Sequence, residues 1–222
     1  MYKLLRTYGI VAVIAVAVAL TIRVFIIEAY RIPSQAMKPT LEAGDLIFVA
    51  KASFGFHVPW LNTVFGKARK PQRGEVVVFS PQGEPKQNYI KRVIALGGET
   101  VQVSKGHISL NGIPLQADLA KNAVCGMETL TKNKSYQVCW EPPLIEDFGP
   151  AIVPEESVFV IGDFRSMPDE YKKRSSTWGI VPLSSLNGSA LWIWLSIEPD
   201  SLEKMGGWFP RFRFERMFRR IN

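Results

Sequence analysis

The sequence has few of the residues that commonly bind metals or serve as catalytic imidazoles and thiolates. Its 222 residues include only two histidines, His57 and His107, and two cysteines, Cys125 and Cys139, without C-x-x-C or H-E-x-x-H spacing. A zinc site and a histidine-centred catalytic triad are therefore not expected. Charged residues are also sparse, at 21% against 47% hydrophobic residues, which excludes a wholly disordered chain.

Acidic residues are fewer than basic ones. Lysine and arginine number 27 and aspartate and glutamate 20, which gives a formal net charge of +7. A basic surface favours anionic partners such as nucleic acids or lipid headgroups, and the sign of the charge does not choose between them.

One long apolar run lies near the N-terminus, at residues 8–27 (YGIVAVIAVAVALTIRVFII). About 20 such residues cross a bilayer as a helix, and Arg23 lies close enough to the end to reach the interface. Lys3 and Arg6 precede the run, so we expect a cytoplasmic N-terminus and an exported remainder. A cleavable signal peptide is the alternative, although no small-x-small cleavage pattern follows the run comfortably. The predicted division is an anchor at 1–28 and an exported domain at 29–222.

The two cysteines are even in number and separated by 13 residues. In an oxidising compartment, Cys125 and Cys139 are suited to one disulfide that closes a local loop. A pair of ordinary buried thiols is the alternative.

Beyond the apolar run, the chain has short β-prone segments separated by turn residues such as GD, GGE and NG. These segments are 46–50, 75–79, 90–96, 100–103, 107–110, 157–161 and 190–195. No long amphipathic helical pattern is present, so we predict a mainly β fold: one antiparallel β domain after a transmembrane helix, with a cysteine-containing insertion around 120–145.

Two aromatic segments depart from this pattern. Residues 52–72 are rich in aromatics and turn residues, and an exported domain tethered to a bilayer could dip such a loop into the interface. Residues 208–222 alternate aromatics with arginine, which is typical of a segment at an anionic membrane surface. A final β-strand with a solvated basic end is the equally supported alternative for 208–222.

Four stretches together resemble the bacterial type I signal peptidases, which are membrane-anchored serine proteases. They are residues 32–41 (IPSQAMKPTL) with Gly44-Asp45, 72–79 (QRGEVVVF), 89–99 (YIKRVIALGGE) and 160–181 (VIGDFRSMPDEYKKRSSTWGIV). The resemblance covers nearly the whole chain, including the anchor and the order of the motifs.

In that family the first motif reads Pro-Ser-x-Ser-Met-x-Pro-Thr, and its second serine is the nucleophile. Here that position is Ala36, while Pro33, Ser34, Met37, Pro39 and Thr40 all match. Alanine has no atom that can attack a carbonyl, so we expect the chain as written to be inactive. An engineered serine-to-alanine substitution is our interpretation, because the neighbouring residues still fit; a natural non-catalytic relative is the alternative.

The resemblance assigns Lys91 as the general base. To accept a proton, a lysine must become neutral, and an apolar setting such as Ile90, Val93 and Ile94 favours that state. The resemblance also assigns the oxyanion hole to the hydroxyl of Ser34 and the backbone N–H of Ala36.

The last motif departs most from the family pattern. Phe164 follows Gly162-Asp163, and the stretch before Trp178-Gly179 is about four residues longer than usual. The serine that would orient Lys91 is therefore ambiguous. Ser166, Ser175 and Ser176 are candidates, Asp163 is a tentative supporting residue, and Asp169 or Arg174 are candidates for an ion pair near Arg92.

By this resemblance, the chain is a membrane-bound endopeptidase that removes signal peptides after small residues in an Ala-x-Ala context. It implies no metal or organic cofactor, and its partners are signal peptides and the lipid bilayer but not nucleic acid. The expected location is the bacterial inner membrane, with a single span and the peptidase domain outside the cytoplasm. A homologue that binds signal peptides without cleaving them, and an anchored β scaffold without a peptide groove, are the other hypotheses.

Overall fold

The computed structural model describes residues 7–16, 27–57, 64–65, 69–81, 87–118, 124–166, 178–199 and 211–221. Residues 7–16 are helical, and from residue 27 onward the described chain forms β-strands joined by turns and three short 3₁₀ helices. The strands, in chain order, are β1 (Ile27–Arg31), β2 (Asp45–Ala50), β3 (Phe56–His57), β4 (Val64–Phe65), β5 (Val76–Phe79), β6 (Tyr89–Leu96), β7 (Thr100–Ser104), β8 (His107–Leu110), β9 (Ile113–Pro114), β10 (Gln116–Asp118), β11 (Cys125–Thr131), β12 (Lys134–Cys139), β13 (Phe148–Ile152), β14 (Ser157–Ile161), β15 (Gly179–Pro182), β16 (Leu186–Ser196) and β17 (Arg219–Arg220).

The main sheet has eight strands in the order β1-β2-β16-β5-β6-β14-β15, with β17 added beside β16. Its neighbours pair antiparallel throughout. Two smaller sheets, β10-β11-β12 and β13-β7-β8-β9, and the β3-β4 pair complete the described structure. The mainly β, antiparallel fold expected from the sequence is therefore confirmed.

The main sheet is buried on both faces, which explains its continuous apolar segments. In β5, Val76 and Val78 pack into one core cluster with Ile47 and Ile193, whereas Val77 packs into another cluster. Successive side chains of a strand point to opposite faces, so VVVF can be apolar throughout only where both faces are covered.

The structure differs from the sequence interpretation at the end of the apolar run. Ile27 and Glu28 lie in β1, where they pair with Ala50 and Val49 of β2. Their backbone groups are therefore used in the sheet, and the β domain begins before residue 29.

Residues 7–16 are helical and exposed along their whole length. In the described part of the chain, no helix combines the length and the apolar character needed to cross a bilayer. Residues 17–26, with most of the second half of the predicted span, lie outside the described residues.

The predicted insertion around 120–145 contains the hairpin β11–β12. Its strands place Cys125 opposite Cys139, and the two form a disulfide with Cα atoms 4.0 Å apart. The predicted disulfide is confirmed. Residues 119–123 lie outside the described residues.

The basic C-terminal segment belongs partly to the fold. Arg213 and Arg216 both bind Glu42 and Asp45, and Asp45 is fully buried. The short strand β17 then pairs with Trp192 and Ile193 of β16. The aromatic side chains of Phe214 and Phe218 remain exposed, and residues 201–210 lie outside the described part, as do 58–63 and 66–68 of the other aromatic segment.

Candidate active site

Residues 32–44, which contain the PSQAM motif at 33–37, form the loop between β1 and β2. Apolar side chains of this loop fix it to the core. Ile32, Met37 and Leu41 are buried in the core cluster beneath it. The base of the loop is closed by two backbone hydrogen bonds, from Ile32 N–H to Asp45 O at 2.8 Å and from Gly44 N–H to Ile32 O at 2.9 Å. Ser34 and Ala36 remain partly accessible on this fixed loop.

Lys91 is a buried lysine in the middle of the main sheet. It lies in β6 opposite Val77 of β5, and only 5% of its surface is exposed. Burial lowers the pKa of its ammonium group to about 8; the negative charge of Asp163 opposes this shift and the positive charge of Arg165 adds to it. With its pKa about one unit above neutral pH, roughly a tenth of Lys91 is neutral at pH 7, and this neutral amine is the form that a general base requires.

Gly162 brings Lys91 and Ala36 together. A Cβ placed on Gly162 would lie 2.3 Å from the carbonyl oxygen of Ala36 and 3.3 Å from Nζ of Lys91. Only a residue without a side chain leaves room for such a close approach. The backbone N–H of Phe164 also donates to the carbonyl oxygen of Ala36, at 3.3 Å. The nucleophile position and the candidate base thus meet at the end of β14.

A buried ion pair supports this junction from behind. The guanidinium of Arg92 donates to both carboxylate oxygens of Asp163, with distances of 2.8 Å from Nε and 2.6 Å from the second nitrogen. The hydroxyl of Thr40 donates to the same carboxylate at 2.5 Å, which links the PSQAM loop to it. Arg92 is therefore paired with Asp163; Asp169 and Arg174, the sequence candidates, lie outside the described residues.

The hydroxyl of Ser166 donates to the carbonyl oxygen of Pro143 at 3.2 Å, so its hydrogen is used there and not at Lys91. Ser175 and Ser176 lie outside the described residues. The identity of a serine that orients Lys91 thus stays a prediction.

Sequence reasoning missed a second buried charged group beside the site. Arg165 is fully buried and pairs with Glu128 of β11, with 3.0 Å between nitrogen and oxygen, and with the hydroxyl of Tyr136 of β12 at 3.0 Å. Glu128 and Tyr136 are direct cross-strand partners. Two features of the sequence could have indicated this group. Glu128 and Tyr136 are spaced as opposite residues of a hairpin, and an arginine lies two residues after Asp163.

The site contains carboxylates but no metal cluster. Across the ranges that the structure describes, no three or more His, Cys, Asp and Glu side chains are arranged to hold a metal ion. Proton transfer by the buried amine of Lys91 is chemistry that this arrangement can support.

Comparison with known protein families identifies the family of the chain. A family model described as "Signal peptidase, peptidase S26" matches residues 5–195. The chain belongs to this family.

Two relatives agree with this assignment by sequence identity. The chain is 36% identical over 194 residues to the signal peptidase I of Leptolyngbya laminosa, a match that covers 84% of this chain and 76% of that protein. It is 34% identical over 194 residues to the signal peptidase I of Pseudomonas aeruginosa, covering 81% and 68% respectively. A solved signal peptidase I of Enterococcus faecalis is 30% identical, with a TM-score of 0.35, over 55% of this chain and 97% of that one.

Proposed function

We propose that this chain binds the signal peptides of exported preproteins at the junction of Ala36, Gly162 and Lys91, and that alanine at position 36 prevents it from cleaving them. With serine at that position, we expect an endopeptidase that cuts after small residues in an Ala-x-Ala context. The observation that carries the proposal is Lys91, a buried lysine with a pKa near 8 placed beside the residue that the family uses as nucleophile.

In the Ala36→Ser variant, the new hydroxyl would attack the scissile carbonyl carbon while its proton moves to neutral Nζ of Lys91. The oxyanion would be held by the N–H of residue 36 and the hydroxyl of Ser34. Collapse of this intermediate breaks the peptide bond, and the Lys91 ammonium returns the proton to the leaving amine. Water then attacks the acyl-enzyme ester and loses a proton to Lys91, which passes it to the serine oxygen as the ester bond breaks, and the signal peptide is released with its new carboxyl end.

The membrane assignment is part of the same proposal. Residues 7–16 are apolar almost all round and exposed, and such a helix is stable in lipid rather than in water. Strand β1 begins at Ile27, so residues 7–26 supply about the 20 residues that a single span needs. We assign the N-terminus to the cytoplasm and the β domain to the outer side of the inner membrane. That compartment is oxidising, so the Cys125–Cys139 disulfide is stable there.

A natural non-catalytic homologue is the second candidate, because an alanine at position 36 that the gene encodes would be equally unable to attack a carbonyl. Such a protein would bind signal peptides, or an envelope partner, and never cleave. The codon for residue 36 in the encoding gene separates the two origins: serine indicates an engineered substitution and alanine a natural one.

The experiment that tests the function is cleavage of a model preprotein with an Ala-x-Ala site. Four detergent-solubilised proteins are compared: the chain as written, Ala36→Ser, Ala36→Ser with Lys91→Ala, and Ala36→Ser with exposed Lys132→Ala as the matched control. We expect cleavage by Ala36→Ser and by its Lys132→Ala control alone. If Ala36→Ser does not cleave but the chain binds signal peptide, the non-catalytic homologue replaces the peptidase. Absence of both binding and cleavage supports an anchored scaffold instead.

A further inference from the structure

The disulfide-closed hairpin β11–β12 contacts the catalytic junction through its backbone. The N–H of Cys139 donates to the carbonyl oxygen of Asp163 at 2.9 Å, and the N–H of Arg165 donates back to the carbonyl oxygen of Cys139 at 2.7 Å. The end of β12 therefore pairs with residues 163–165 in a short parallel β-bridge between Cys139 and Phe164. The same residues carry the ion partner of Arg92 and the N–H bound to Ala36.

The side chain of Arg165 makes a second connection between the hairpin and the junction. Its Nε donates to the carbonyl oxygen of Gly162 at 2.7 Å, and one terminal nitrogen donates to Gly106 O at 3.1 Å. The other terminal nitrogen binds Glu128 and the hydroxyl of Tyr136, both at 3.0 Å. Arg165 thus fixes the position of Gly162, the residue that lies against both Ala36 and Lys91.

This group is costly to bury. Arg165 and Glu128 have lost nearly all contact with water, and the second carboxylate oxygen of Glu128 has no hydrogen-bond partner among the described residues. Charged pairs of this kind contribute little net stability compared with apolar residues of similar volume. A fully buried network does, however, hold its members in one arrangement.

Tyr136 also contacts the other ion pair. The guanidinium carbon of Arg92 lies 4.3 Å from the centre of the Tyr136 ring. Tyr136 therefore contacts Arg92 and Arg165. Arg92 in turn binds Asp163, and Arg165 binds the carbonyl oxygen of Gly162.

We propose that hairpin β11–β12 is a positioning element for the reaction, in which Glu128 and Tyr136 hold Arg165, and Arg165 holds Gly162 so that residue 36 and Lys91 keep their mutual placement. This inference rests on the proposed function of Lys91 as general base. Neither Glu128 nor Tyr136 touches the substrate in this scheme.

The test uses Glu128→Gln, which preserves shape and removes the charge, in the Ala36→Ser background. Exposed Glu141, just after β12, provides the matched control Glu141→Gln. We expect Glu128→Gln to lower kcat by about 10²-fold, the cost of a small misplacement of reacting groups, with KM unchanged. The control should keep the kcat of its background.

The pH profile separates positioning from mere structural support. Asp163 and Arg165 are the charged groups that act on Lys91, with Glu128 and Tyr136 behind Arg165. Glu128→Gln removes the charge that holds one terminal nitrogen of Arg165, so we expect Arg165 to move away from Gly162, and Lys91 to lose a neighbouring positive charge and gain hydration. The acid limb of kcat against pH should then move to higher pH. An unmoved limb, or one moved to lower pH, overturns the proposal, because Gly162 and Arg165 would then keep their places without Glu128.

Two measurements keep the outcome decisive. If Glu128→Gln does not fold, Tyr136→Phe removes the hydroxyl that binds Glu128 and Arg165 and is judged by the same two criteria. Titration of the ¹³Cε resonance of Lys91, assigned by its absence from Lys91→Ala, is made in the chain with Ala36 retained. If Ala36→Ser shows no activity, the peptidase proposal fails, while this titration still tests the hairpin: an unchanged Lys91 titration in the Glu128→Gln and Tyr136→Phe variants overturns it.

Discussion

The carbonyl oxygen of Ala36 accepts a hydrogen bond from the backbone N–H of Phe164, across 3.3 Å and 128 positions of sequence. Residue 36 is therefore fixed to the end of β14 by its backbone and not by its side chain. A change from alanine to serine adds one oxygen to a backbone that is already placed, so the fold should be the same in both forms.

Gly162 should tolerate no side chain, because a Cβ would lie 2.3 Å from the carbonyl oxygen of Ala36. In the Ala36→Ser background, we expect Gly162→Ala to abolish cleavage and to destabilise the fold by about 1–3 kcal/mol, as overpacking does. Gly9, which has no atoms within 4 Å of such a Cβ, provides the control Gly9→Ala. Thermal unfolding and cleavage are measured together, and full activity in Gly162→Ala would contradict the geometry of the site.

Lys91 should reduce stability at neutral pH. Its pKa falls from 10.5 in the unfolded chain to about 8 in the fold, so between these values the unfolded state binds more protons and stability rises with pH. The cost is fully present below pH 8 and amounts to about 3 kcal/mol. We expect Lys91→Met to be more stable than the chain as written at pH 7, and this advantage to shrink as pH rises toward 10.5.

Urea unfolding from pH 7 to 10.5 measures this effect, with the exposed residue Lys132 changed to Met as the control. The control should run parallel to the chain as written over the whole range. A constant difference between Lys91→Met and the chain as written would mean that the pKa of Lys91 is not lowered by folding.

The strands could be predicted from the sequence, because each is marked by an apolar or alternating run of its own residues between turn residues. Residues 75–79 and 157–161 are apolar runs bounded by turns, and both lie in the main sheet as β5 and β14. The first motif likewise located the loop of Ala36. Lys91 was assigned by resemblance, and its buried environment followed from the apolar residues around it.

The charged contacts between distant segments could not be predicted in this way. Glu128 lies between Met127 and Thr129 in a hairpin strand, where a single glutamate usually faces water, yet it is buried and meets Arg165, 37 positions away. For Arg213 and Arg216 the sequence left a membrane-surface segment and a basic end of the fold equally supported, and it did not reveal their partner Asp45, which is 168 and 171 positions distant. Such pairs are set by how the sheets pack, which no local window contains.

Asp163 should be required for stability because it neutralises Arg92, and both side chains are fully buried. Asp163→Asn leaves the guanidinium without its counter-charge, which typically costs 3–5 kcal/mol. We expect a loss of about that size in urea unfolding at pH 7. Asp118→Asn, at an exposed position in β10, makes the same chemical change and should leave stability unaltered. Equal stabilities of the two variants would show that Asp163 and Arg92 are not paired in solution.

Arg216 should join the C-terminal segment to the loop of Ala36. It binds the fully buried carboxylate of Asp45 at 2.7 Å and Glu42 at 3.1 Å, and both acids close the base of that loop. Replacement by methionine keeps much of the volume but removes charge-assisted hydrogen bonds, each worth about 1.5–3 kcal/mol. We expect Arg216→Met to lower stability by at least that amount and to weaken signal-peptide binding, because the loop loses part of its support.

Arg219 is the matched control, since it is exposed on β17 only three residues later. Arg219→Met should keep both stability and peptide binding. If Arg219→Met impairs peptide binding in the presence of lipid vesicles while Arg216→Met does not, the C-terminal arginines act mainly at the membrane surface. The contacts of Arg216 with Asp45 and Glu42 would then be incidental to the site, and the Ala36 loop would be supported by the buried side chains of Ile32, Met37 and Leu41 and by its backbone hydrogen bonds.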